Sequence, residues 1–68
     1  MVSNGRKIDC HIKPHDRIYP FIHSLKENQV YIIKLSSDKS GTMFTIYEKD
    51  LSIVRKIRKQ YRLPIHFT

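Results

Sequence analysis

The apolar residues of this chain shift their spacing from that of a strand to that of a helix and back, twice over, and this ordering restricts the fold more than any other feature. Ile8, Cys10 and Ile12 alternate with Lys7, Asp9, His11 and Lys13, the period of a strand with one buried face. Ile18, Phe21, Ile22 and Leu25 then stand at i, i+3, i+4 and i+7, one stripe of a helix. Pro14 breaks the strand before it, and Asp16 is placed to cap the helix. The ring of Pro20 is tolerated only in a first turn, so the helix is expected to begin between Asp16 and Tyr19. Asn28 is a suitable stop. "QVYIIKLSS", rich in β-branched and aromatic residues, reads as a second strand. "SSDKSG", residues 36–41, supplies turn chemistry, with Gly41 able to take positive φ. "TMFTIYEK" is a third strand with Phe44 and Ile46 on one side and Met43, Thr45 and Tyr47 on the other, forming a hairpin with the second.

A second helix follows in "KDLSIVRKIRKQYRLP". Asp50 is its expected cap, and Ile53, Val54, Ile57 and Tyr61 are its inward stripe, with Leu51 at the edge. Pro64 closes it by pushing Leu63 out of the helical region. "IHFT" is a short last strand. The order β-α-β-β-α-β predicts an α+β domain in which two helices cover one face of a four-stranded antiparallel sheet, the ferredoxin-like arrangement. Sixty-eight residues allow a single domain. Residues 1–6 are expected to form a flexible arm and residues 7–68 the domain. The two βαβ halves share no sequence repeat.

Forty per cent apolar and 28% charged residues are ordinary globular values. The net charge of +7 and pI of about 9.9 favour association with phosphate backbones, anionic lipid or an acidic protein face. A single cysteine, Cys10, excludes an intrachain disulfide. Its place in the apolar alternation predicts a buried thiol in a reducing, cytoplasmic setting. No apolar run is long enough to span a bilayer, and "MVSNGRK" lacks the apolar segment of a secretory signal.

The residues that carry chemistry are few. His11, His15, His23 and His66 have no standard metal-ligand spacing, and the alternation sets Cys10 and His11 on opposite faces. No nucleophile elbow, glycine-rich phosphate cradle or pair of carboxylates at catalytic spacing is present. These features argue against an enzyme, a metal site and a cofactor. The strongest signal is the second helix. At about 100° per residue, Arg55, Lys59 and Arg62 share one outer arc and Lys56 and Arg58 flank it, opposite the apolar stripe. Like charges at these spacings cost helix stability, a few tenths of a kcal/mol per pair, which suggests a partner. The sheet's open face is the second candidate surface, with Lys7, His11, Lys13, Met43, Thr45 and Tyr47 pointing out. RNA-recognition domains stack bases on this face, but here only Tyr47, with Tyr31 next door, is available. Met43, Tyr47 and Ile33 or Ile32 would suit a homodimer or a hetero-complex.

The stretch "TMFTIYEKDLSIVRKIRKQYRLPIHF" resembles the N-terminal soluble region of YqfD-type stage IV sporulation proteins. There, a strand ending in an acidic residue runs into a D-(L/V)-x-x-(V/L)-R-(K/R)-(I/V)-R helix, a short basic stretch and a last strand. Asp50, Leu51, Val54, Arg55, Lys56, Ile57 and Arg58 match that order. The earlier half is compatible in pattern without a sharp motif. Family members continue into membrane-spanning segments, which this sequence lacks. The resemblance implies an interaction module without catalysis and names no ligand.

These features favour a small regulatory protein-interaction module or inhibitor, docking an acidic partner through the cationic helix or the open sheet. The alternative is a DNA- or RNA-binding module contacting phosphates through Arg55, Lys56, Arg58, Lys59 and Arg62. Membrane-surface attachment is disfavoured, because the helix's apolar stripe is needed for the core.

Overall fold

The computed structural model describes residues 5–68. Its elements are β1 (Lys7–Ile12), α1 (Ile18–Glu27), β2 (Ile32–Asp38), β3 (Gly41–Tyr47), a short 3₁₀ turn (Glu48–Asp50), α2 (Leu51–Tyr61) and β4 (Ile65–Phe67). One antiparallel sheet has the order β2-β3-β1-β4. This is the expected β-α-β-β-α-β fold, with both helices on one face. Residues 1–4 of the expected arm lie outside the described residues. Arg6 is not part of a loose arm, because its carbonyl accepts the Glu48 N–H at 2.7 Å and prolongs the β1–β3 ladder.

Alternation sorts the side chains as the sequence predicts. Cys10 and Ile12 from β1 and Phe44 and Ile46 from β3 point to the helices. They meet Ile18, Phe21, Ile22 and Leu25 of α1 and Val54 and Ile57 of α2 in one core. The Phe21 ring lies 6.1 Å from both Phe44 and Tyr61, tilted on one and edge-on to the other. The Tyr61 and Ser24 hydroxyls share a hydrogen bond of 2.5 Å, and Arg17 donates to the Tyr61 carbonyl at 3.1 Å. These contacts lock α1 along its length to the end of α2.

Several local expectations need correction. α1 begins at Ile18 without a side-chain cap. Asp16 does not cap it; the His15 ring instead accepts the Arg17 N–H at 3.1 Å. The expected place of Pro20 holds: it falls in the first turn, where a missing N–H costs no helical bond. Asp50 precedes α2 but its carboxylate makes no capping bond, because the 3₁₀ turn already leads the backbone into the helix. β2 starts at Ile32, after Val30 has been buried at the exit of α1. The turn is only Lys39–Ser40, closed by the pair Asp38 and Gly41. Ser36 and Ser37 belong to the strand, whose position at the sheet edge lets polar residues stay wet. Asp38 anchors the turn by accepting the Ser40 N–H at 2.8 Å and hydroxyl at 2.6 Å, and these bonds lower its pKa.

A bulge between Ile32 and Lys34 resets the alternation of β2. Ile32 stays opposite Ile46 on the helix side and packs against the core. Lys34 is thereby opposite Thr45 on the open face, and Leu35 opposite Phe44. Ile32 is therefore not on the open face as one of the exposed apolar residues expected there.

Both helices end alike. Gln29 and Arg62 take left-handed backbone, φ 63° and 54°. After α1, the Val30 N–H reaches the Leu25 carbonyl at 2.9 Å and the Gln29 N–H reaches Lys26 at 3.0 Å. After α2, Leu63 reaches Arg58 and Arg62 reaches Lys59, both at 3.2 Å. These are paired Schellman closures, each followed by a buried residue, Val30 and Leu63. Leu63 is thus a core residue that the sequence pattern did not assign. Ile53 departs the other way: it belongs to the expected inward stripe but is 38% exposed. The covered face of α2 is narrower than its apolar arc, and Leu63 fills the space at its far end.

The left-handed backbone at Gln29 supports a prediction. A non-glycine residue there costs about 1–2 kcal/mol, part of which glycine returns through a freer unfolded chain. Gln29→Gly is expected to stabilise the domain by roughly 0.5–1 kcal/mol, read as a higher urea midpoint at unchanged slope.

Candidate functional site

α2 overhangs β4 at one edge of the sheet, and the space between them is an open groove of about 800 Å³. Leu51, Ile65 and Phe67 supply its apolar lining, and Arg55, Lys56, Arg58 and Lys59 its charge. Glu48 at one end is the acidic residue that lines it, one that the reading of the helix alone did not include. The Arg55 guanidinium sits 5.8 Å from the centroid of the Phe67 ring, a cation–π contact that holds it over the β4 edge. Arg58 is half-buried and donates to the Leu63 carbonyl at 3.4 Å, while its buried Nε has no protein acceptor among the described residues. Among the described residues the carboxylates that approach a basic side chain do so at His15 and His23, from Asp16 and Glu27, so the groove cations hold no carboxylate.

A second groove of about 580 Å³ lies on the other side of β4, lined by His11, Lys13, Arg58, Pro64, Ile65 and His66. Arg58 and Ile65 line both grooves. The cationic surface therefore wraps around the β4 edge. Of the five helix cations singled out from the sequence, the fold gathers four here. Arg62 stands apart: it is exposed at the left-handed turn after α2 and lines neither groove.

The open face holds Lys7, His11, Lys13, Met43 and Tyr47 as expected, with Lys7, Lys13 and Met43 exposed and His11 and Tyr47 half-buried. Tyr31 and Tyr47 stack on each other, ring centroids 6.3 Å apart at 17°. Near the centre of the face Asp9 accepts the Thr45 hydroxyl at 2.7 Å. His11 is directly opposite His66 on β4 and Met43 on β3.

Cys10 is fully buried, and burial, reinforced by the Asp9 carboxylate, pushes its pKa up to about 12. It is a protonated, sheltered thiol at neutral pH, which suits packing and not nucleophilic attack. Among the described residues no three His, Cys, Asp or Glu side chains gather as a metal site. Among the described residues no helix is long and apolar enough to cross a membrane. No protein-family model, curated protein or solved structure matches the chain.

Proposed function

We propose that this chain is a non-enzymatic interaction module that docks an acidic protein surface through the groove between α2 and β4, working in the cytoplasm, where Cys10 would stay reduced. The observation that carries the reading is a set of four cations without carboxylate partners among the described residues, arranged over apolar side chains. A phosphate backbone needs the charge alone, whereas a protein segment uses both the charge and the apolar floor. The open sheet face supports the same choice. Its two tyrosines are occupied with each other, and Asp9 places a carboxylate where a nucleic-acid strand would cross. The resemblance to the YqfD-type soluble region, an interaction module without catalysis, agrees with it.

The test compares two ligands by fluorescence anisotropy, an acidic peptide with interspersed apolar residues and a DNA duplex, at about 50 mM and about 200 mM salt. The peptide is expected to bind at both concentrations. The double substitution Arg55→Ala and Lys59→Ala should weaken it about tenfold or more, since close charge pairs at interfaces couple by about 1.5 kcal/mol upward. Duplex binding that is tighter than peptide binding, with a steep salt slope, would overturn the protein reading in favour of the nucleic-acid one.

A further inference from the structure

β4 is the free edge of the sheet beside the cationic groove, and the ladder fixes which of its backbone groups are unused. The Thr68 N–H donates to the Asp9 carbonyl at 3.0 Å. In an antiparallel ladder hydrogen-bonded pairs alternate with non-bonded ones. Asp9 with Thr68 and His11 with His66 are then the bonded pairs, while Cys10 with Phe67 and Ile12 with Ile65 are not. The N–H and C=O groups of Ile65 and Phe67 therefore point away from the sheet, at the mouth of the groove. Their side chains point to the helix side, where both line the groove beneath Arg55, Arg58 and Lys59. A strand laid beside β4 would set alternate side chains against these cations and the intervening ones against Lys13, His11 and His66.

We infer that the β4 edge receives an extended acidic segment of a partner protein as an added strand. Backbone bonds to Ile65 and Phe67 set its register, and carboxylates at alternate positions meet Arg55, Arg58 and Lys59. The inference rests on the acidic-protein reading above and adds the mode of binding. The choice of edge follows from the sheet. β2, the other edge, carries the bulge at Ile32 and Lys34, a feature that resists pairing. The choice of occupant follows from charge. A second copy of this chain would bring another net charge of +7 and the same cations to the edge, so it repels where an acidic segment attracts.

The experiment uses the full chain and a peptide alternating glutamate with threonine and valine. Two further versions carry N-methyl groups on alternate backbone amides, in one register or the other. The charge pattern fixes which side chains face α2, so one set of amides faces β4. One N-methyl version is expected to bind about tenfold more weakly or worse, equivalent to about 1.4 kcal/mol, and the other to match the parent. Amide exchange followed by NMR should slow at Ile65 and Phe67 on adding the parent peptide. If both N-methyl versions bind like the parent and the Ile65 and Phe67 amides are unchanged, charge docking stands and strand addition is overturned. A parent peptide that fails to bind overturns both. Protection of those amides in a peptide-free dimer assigns the edge to a second copy and overturns the inference alone.

Discussion

Gly41→Ala is expected to lower the melting temperature of this domain by roughly 12–25 °C, read by far-UV circular dichroism. Gly41 closes the β2–β3 turn with φ +127°, a conformation that L side chains rarely adopt. Lys39 and Ser40 keep negative φ, so the turn does not itself supply the twist that primed turns give a hairpin. Gly41 takes the positive φ instead, and its backbone lies close to β1. A Cβ at this position would lie 2.1 Å from the Ile12 carbonyl oxygen and 3.0 Å from the Lys13 Cα. Both are backbone atoms, so no side chain can swing aside. Strained backbone alone costs about 1–3 kcal/mol, and with the clash the total is roughly 3 kcal/mol or more. Ser40→Ala, which removes hydroxyl and not backbone freedom, is the matched control and should cost about 1 kcal/mol or less. Equal melting temperatures for the two variants would show that the hairpin does not approach β1 in this way.

Phe21→Ala should be at least as damaging, about 3–5 kcal/mol. Phe21 is fully buried and its ring touches the sheet through Phe44 and the second helix through Tyr61. Alanine leaves a cavity at a point where sheet, α1 and α2 meet. A domain of this size has little stability in reserve, so the variant is expected to be largely unfolded in urea concentrations that leave the parent native. Tyr19→Ala, two residues away in the same helix but with Tyr19 83% exposed, should change stability by about 0.5 kcal/mol or less. Similar losses for both substitutions would contradict the position of α1 on the sheet.

The fold was legible because each element is written in its own period. β1 alternates, α1 repeats every three or four residues, and the hairpin strands are β-branched, so local preference and burial agree. What was not legible depends on neighbours distant in sequence. The bulge that sends Lys34 outward leaves no compositional mark, and Ser36 and Ser37 read both as the end of a strand and as the start of a turn, because polar edge residues look like turn residues. Asn28 marks the end of α1 as expected, but the closures just beyond the two helices were hidden for a related reason. Their left-handed residues are Gln29 and Arg62, not the glycine that usually announces such a stop, and the signal was instead the buried Val30 and Leu63 just beyond.

The candidate site was half visible. Helical geometry placed Arg55, Lys56, Arg58 and Lys59 away from the core. A helix read alone does not reveal what lies beneath its overhang, and three residues are too few for β4 to show a period. Phe67 under Arg55 and Ile65 between the grooves emerge only once the strand order sets β4 beside β1.

That strand order has one more consequence. Every ladder in the sheet joins the first half of the chain to the second: β1 to β3, β1 to β4 and β2 to β3. Neither half contains two strands that touch each other. A cut between Lys39 and Ser40 would therefore yield two fragments, each without a sheet of its own and each the missing template for the other, so folding can proceed only as a joint event between them.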